Sequence, residues 1–153
     1  MKDQSTLLAY DLHGSRITFE SEALLAGALH ERLGQLPAAS SGTADLAFRF
    51  HAVPSLADHV VDLPPPGARL VNSSDLGEFR YDEDSGALFI VCGDRVRACC
   101  DTSCGQVQTS IACAAATDLW LLSHAMVTIP LTEIAKHRGL FSVHAAAVAI
   151  GGV

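Results

Sequence analysis

The 153-residue sequence has little of what membrane proteins and nucleic-acid-binding proteins need. Charged residues make up only 18% of it, the formal net charge is −7, and no cluster of Lys and Arg is present to neutralise phosphate groups. No apolar run reaches the ~18–20 residues of a membrane span. The N-terminus also lacks the basic and apolar pattern of a secretory signal. We therefore expect a cytoplasmic protein with no nucleic-acid partner and no membrane partner.

The cysteines also lack the spacing of a metal or disulfide framework. There are five, an odd number, and no C-x-x-C pair occurs, so reduced thiols are the simplest state. Cys99 and Cys100 are adjacent, and neighbours on a strand point to opposite faces, so at most one could share a site with Cys104. We expect no metal site and interpret the cysteines as small buried residues. A redox pair of Cys100 and Cys104 is the alternative.

The sequence does contain enough apolar residues for a folded core. They form 49% of the chain, and the mean hydropathy is +0.28, which suits a globular domain. In the first third, apolar spacing and turn residues predict a β-hairpin, a helix with Ser21 as its N-cap and Gly34 as its stop, and a strand. The predicted elements are Thr6–Leu12, Ser15–Glu20, Glu22–Leu33 and Leu46–Val53.

The triple proline in Leu63-Pro-Pro-Pro-Gly67 predicts a surface loop or a boundary. It divides the chain into residues 1–62 and 63–153, or lies within one domain of residues 1–153. After it, short apolar runs predict an antiparallel meander of strands. These runs are Glu78–Tyr81, Ala87–Cys92, Arg95–Cys100 and Val107–Ile111.

Two helices and a last strand are expected after the meander. Apolar spacing predicts one helix in Ala112–Val127, with Thr117 or Asp118 as its cap. A second helix begins at Pro130 and is stopped by Gly139. The uncharged run Phe141–Ile150 is typical of a strand buried on both faces. The predicted fold class is α/β (α+β-like), a mixed, mainly antiparallel sheet with packed helices.

Several polar or aromatic residues favour a structural interpretation over a functional one. The acidic run Asp82-Glu-Asp84 has the composition of a solvated hairpin turn, since its spacing does not match a calcium loop. Trp120, in an apolar helix, is expected to anchor the core. The histidines outside the last strand are scattered along the chain, and we expect most of them at the surface.

The last fifteen residues, Gly139–Val153, carry a family resemblance. A small-residue strand contains His144 and closes on Gly151-Gly152, a pair typical of a tight turn. This pattern resembles the strand and turn ahead of the phosphate-binding loop in HPr kinase/phosphorylase-like proteins. In that family a short apolar strand and the motif G-x-x-x-x-G-K-[ST] follow. The sequence reaches only Val153, so the resemblance implies an incomplete P-loop kinase-like domain.

The resemblance implies ATP-dependent phosphoryl transfer, with Mg²⁺, to a protein or small-molecule phosphoacceptor. His144 would then lie near the phosphates as a catalytic residue that handles a proton, and a hydrogen-bonded core histidine is the alternative. Because the loop with its Lys and Ser/Thr is absent, we expect this chain alone to bind neither ATP nor Mg²⁺ and to be inactive. An unpaired strand edge at Phe141–Ile150 would favour homo-oligomers. The competing hypothesis is a non-enzymatic protein-binding or regulatory module that uses the proline-rich loop and the meander.

Overall fold

A computed structural model describes residues 5–58 and 61–140 and confirms the predicted fold class. A mainly antiparallel sheet of eight strands carries helices on one face. The strands are β1 Ser5–Leu12, β2 Ser15–Glu22, β3 Leu46–Val53, β4 Arg69–Ser74, β5 Gly77–Asp82, β6 Ala87–Cys92, β7 Val96–Asp101 and β8 Gln106–Ala112. The predicted strand Phe141–Ile150 lies outside the described residues.

The order of the strands across the sheet is β1-β2-β3-β8-β7-β6-β5-β4. Strand β3 pairs in parallel with both β2 and β8, whereas the other neighbours are antiparallel. The β1–β2 hairpin and the β4–β8 meander are therefore joined through β3. Strands from both sides of residue 62 belong to this one sheet.

The first helix, α1 Ala23–Leu33, connects β2 to β3, as parallel strands require a crossover. The prediction that Ser21 is the N-cap of this helix was wrong, because Ser21 belongs to β2 and is buried. Glu22, the residue before the helix, makes no side-chain capping bond. The predicted stop is confirmed, because the N–H of Gly34 donates to the carbonyl of His30 at 2.7 Å.

The second part of the helical layer differs from the two separate helices expected. A π-helical segment, Leu121–Thr128, continues directly into α2, Ile129–His137. Within the apolar stretch Ala112–Val127, residues Cys113–Ala115 form a short 3₁₀ helix ahead of the π-helical segment. Pro130 has no N–H for a helical hydrogen bond, and the wide π-helical turns just before it let the backbone continue without a break.

The core lies between the sheet and these helices. Phe19, Phe48 and Phe50, from β2 and β3, are stacked with ring centroids 4.8 to 6.3 Å apart and are at most 2% exposed. Leu29 of α1 and Met126 of the π-helical segment are buried in the same cluster. Side chains alternate between the two faces of the strands, so every second residue of β2, β3, β8 and β7 contributes to it.

The opposite face of the sheet is crossed by the connection between β3 and β4, which contains the 3₁₀ helix Leu56–Asp58 and the triple proline. The prolines lie in a loop, as predicted. Strand β4 was not predicted from the sequence, and all six of its residues are exposed at the edge of the sheet.

In the described residues, no helix is long and apolar enough to cross a membrane.

Candidate functional site

A cleft opens at the surface between the C-terminal half of α1 and the π-helical segment. Its volume is about 460 Å³, within the range of small-molecule sites. We call it the helical cleft. It is lined by Ala28, Leu29, Arg32, Leu33, Gln35, Leu36, Trp120, Leu122, Ser123, His124, Val127 and Thr128.

The two walls of the helical cleft are fixed by capping interactions. Gly34 ends α1 two residues after Arg32 and so places this side chain on the last helical turn. On the other wall, Asp118 accepts hydrogen bonds from the backbone N–H groups of Trp120 and Leu121 at 3.0 and 3.1 Å. The carboxylate therefore caps this helix, as one of the two predicted alternatives.

The polar rim of the helical cleft has its hydroxyl groups already engaged. Arg32 donates from Nη2 to Ser123 Oγ at 3.2 Å, and this hydroxyl donates to the carbonyl of Leu119 at 2.6 Å. Thr128 Oγ1 donates to the carbonyl of Ser123 at 2.7 Å. Arg32 is exposed, and its bond to Ser123 leaves most N–H groups of its guanidinium facing solvent.

Trp120 occupies a different place from the one predicted. Its side chain is 40% exposed and lines the helical cleft, so the interpretation as a core anchor was wrong. Its ring contacts the imidazole of His124 with centroids 5.0 Å apart and planes at 43°. The helical turn lets these residues, four apart, meet on the same face. This face is turned toward solvent because Leu121, Leu122 and Met126 fill the face toward the sheet.

A second groove, of about 480 Å³, lies on the opposite face of the sheet beneath the β3–β4 connection. Phe89, Cys99, Asp101 and Gln108 line it together with Asp62. Asp62 and Asp101 make this groove acidic. Hydrogen bonds, foremost from the Ser103 hydroxyl, hold the pKa of Asp101 at about 2. Burial, followed by the charge of Asp101, raises the pKa of Cys99, so this thiol stays protonated and is a poor nucleophile.

The five cysteines are free thiols, and their surroundings differ. Cys92 and Cys100 are buried, as predicted. The prediction was wrong for Cys104 and Cys113, which are exposed, and Cys99 is only half-buried. Cys99 and Cys100 point to opposite faces of β7, also as predicted. The Cys100 thiol faces the helices and approaches the carbonyl of Pro130 at 3.9 Å, whereas Cys104 lies in the exposed turn after β7.

The acidic run and His30 take structural roles, and His144 is not among the residues that the structure describes. The acidic run is a hairpin turn in which Ser85 donates to Asp82, as predicted. His30 Nδ1 lies 3.0 Å from the hydroxyl of Tyr10, in a structural hydrogen bond. Within residues 5–58 and 61–140, no three His, Cys, Asp or Glu side chains are grouped to hold a metal ion.

No protein-family model, curated protein or solved structure matches this chain. The family resemblance of residues 139–153 therefore remains a proposal. The helical cleft was not found from the sequence, although one signal was present. The only Trp and His124 are four residues apart, which places them on one helix face.

Proposed function

We propose that this chain belongs to an HPr kinase-like ATP-dependent phosphotransferase and forms the lobe ahead of its phosphate-binding loop. The supporting observation is the path of the chain before the resembling segment. Helix α2 packs on β7 and ends at His137. Arg138 then donates from Nη2 to the carbonyl of Asp45 at 2.7 Å, directly before β3. The helical layer thus ends against the sheet where the segment that resembles the family begins.

The described lobe does not supply the groups that hold a nucleotide in this chemistry. Phosphoryl transfer needs backbone N–H groups and a Lys on the phosphates and an oxygen ligand on Mg²⁺. In the described part of the chain the only lysine is Lys136, and its ammonium group is paired with Glu133. ATP and Mg²⁺ would therefore be held by a loop that follows the resembling strand. His144 remains our candidate for the residue that handles the proton.

Calorimetric titration with Mg-ATP tests this proposal on two proteins. The first is the present chain, for which we expect no binding tighter than about 1 mM. The second is the chain continued through the codons that follow Val153, for which we expect Mg²⁺-dependent binding and phosphoryl transfer that weakens in His144→Asn. Sub-millimolar Mg-ATP affinity for residues 1–153, or a continuation without a phosphate-binding loop, would refute the assignment.

A binding module is the second candidate function, and strand β4 favours it. All of β4 is exposed, Leu70 and Val71 present apolar side chains along this edge, and Leu76 is exposed in the turn that follows. Unpaired N–H and C=O groups of an edge strand can accept another strand. We propose a second copy of this chain as the partner, which gives a homo-oligomer through paired β4 edges.

Sedimentation equilibrium measures this association. We expect a concentration-dependent dimer that Val71→Lys converts to monomer, because a charge on the edge strand opposes pairing. Leu24→Lys adds the same charge at an exposed position of α1 and should leave the dimer intact. A wild-type monomer at every concentration would exclude the edge as an interface between copies.

The thiols bear on the location of the protein. We propose that it is cytoplasmic, because a reducing compartment keeps free thiols such as the exposed Cys104 and Cys113 from forming disulfides. Quantification of free thiols in protein isolated under alkylating conditions tests this placement, and disulfide-linked chains would contradict it.

A further inference from the structure

Arg32 gives the helical cleft a positive charge in a protein with a net charge of −7. Among the described residues, no carboxylate lines this cleft. Four other arginines of the described residues are paired with Asp or Glu, but Arg32 has no ion pair there. Within the described part of the chain, its one side-chain hydrogen bond is to the neutral Ser123 hydroxyl. A guanidinium with free N–H groups at a cleft is suited to bind a carboxylate through two parallel hydrogen bonds.

The same cleft offers an apolar surface beside this charge. Ala28, Leu33 and Leu36 form part of the lining and are only partly buried, above the buried Leu29 and Leu122. The Trp120 ring stands at the rim, 40% exposed, and can cover one side of a flat group. Aromatic rings pair in stacked or edge-to-face arrangements, so this combination favours a planar ring over an aliphatic group of similar size.

His124 gives the cleft a second donor at its rim. Among the described residues the imidazole makes no hydrogen bond or ion pair, and its contact is with the Trp120 ring. The neighbouring hydroxyls of Ser123 and Thr128 already donate to backbone carbonyls. The groups left to meet a ligand are therefore the guanidinium of Arg32, the imidazole of His124, the indole of Trp120 and the carboxamide of Gln35.

We propose that the helical cleft binds a small aromatic carboxylate, with the carboxylate on Arg32 and His124 and the ring against Trp120 and the apolar lining. This proposal does not rest on the nucleotide site of the proposed phosphotransferase. The lining of the cleft comes from α1, the residues just after it, Trp120 and the π-helical segment, whereas the nucleotide would require the loop after the last strand. A failure of either proposal leaves the other untouched.

The intrinsic fluorescence of the protein reports this site directly, because Trp120 is its only tryptophan. The probes are benzoate, which has both a ring and a carboxylate, cyclohexanecarboxylate, which lacks the aromatic ring, and benzyl alcohol, which lacks the charge. We expect benzoate to give a saturable change with a Kd of about a millimolar, as suits so small a ligand. Each of the other two should bind at least fivefold more weakly.

Two variants separate a specific site from adventitious contact. Arg32→Gln removes the charge from an exposed side chain and should weaken benzoate binding at least fivefold while the circular dichroism spectrum stays that of the wild type. Arg69→Gln, at the exposed β4 edge, removes the same charge far from the cleft and should change nothing. Equal affinity for benzoate and cyclohexanecarboxylate, an unaffected Arg32→Gln variant, or no saturation by 20 mM benzoate would each overturn the proposal.

Discussion

The carboxylate of Asp118 is expected to be the main polar anchor at the start of the π-helical segment. It accepts two backbone hydrogen bonds, from Trp120 and Leu121, and it also accepts a hydrogen bond from Arg95. An N-cap of this kind is worth about 1 kcal/mol. The ion pair adds at most about 1 kcal/mol because its side chains are 47% and 32% exposed and screened by water. Asp118→Ala should therefore lower the free energy of unfolding by about 1–2 kcal/mol.

Urea denaturation followed by circular dichroism measures this loss. Asp118→Asn is the matched control, because its amide oxygen still accepts from the backbone while the charge on Arg95 loses its partner. We expect this variant to lose no more than about half as much stability as the alanine variant. Equal losses in the two variants would show that capping is not the cause. A loss below about 0.3 kcal/mol for Asp118→Ala would refute the reasoning altogether.

The pH dependence gives an independent check on the same carboxylate. The backbone N–H of Leu121 is the largest influence that lowers the pKa of Asp118 below its ordinary value of 3.8, and Arg95 lowers it further against the effect of burial. A depressed folded-state pKa means that the stabilisation is fully present above pH 3.8 and disappears as pH falls through the folded value. The difference between wild type and Asp118→Ala should therefore shrink on acidification from pH 5 to pH 3.

Three further predictions concern the core, the thiols and the turn after β7. Phe48→Ala should lower the free energy of unfolding by about 3–5 kcal/mol in urea denaturation, because the side chain is 1% exposed and packs against the rings of Phe19 and Phe50. A loss below about 1 kcal/mol would contradict this packing. Ellman's reagent should label Cys104 and Cys113 in the folded protein, whereas Cys100, whose pKa burial raises to about 12, should react only after unfolding. Hydrogen bonds from the Ser103 hydroxyl and Cys104 hold the pKa of Asp101 at about 2. Asp101→Asn should therefore lose less thermal stability than the wild type does when the pH falls from 4 to 2. The same loss in both proteins, measured by calorimetry, would be evidence against those bonds.

Much of the sheet could be predicted because its signals are local. Strand β3 was predicted with its observed bounds, Leu46–Val53, since Leu46, Phe48 and Phe50 alternate with residues on the other face. The first hairpin follows from His13-Gly14, both of which have positive φ, at 53° and 84°. Periodicity and turn chemistry act within a few residues, so a short window of sequence contains them.

The errors fall where distant residues decide the outcome. Ser21 has the composition of a helix cap, but strand pairing with Thr6 extends β2 through it. Strand β4 has no alternation to reveal it, because both of its faces are exposed and only pairing with β5 makes it a strand. Trp120 lies in an apolar stretch, and which face of that helix meets the sheet is set by packing against α1.

The sequence by itself determined the fold class and the order of most elements, since these follow from periodicity and turn residues. Tertiary structure alone decided that β3 pairs in parallel on both sides and that Arg32 and Ser123, 91 residues apart, meet at one cleft. The physical reason is that a local pattern specifies which side of an element is apolar. Which two elements share that buried side depends on the free energy of packing the whole chain.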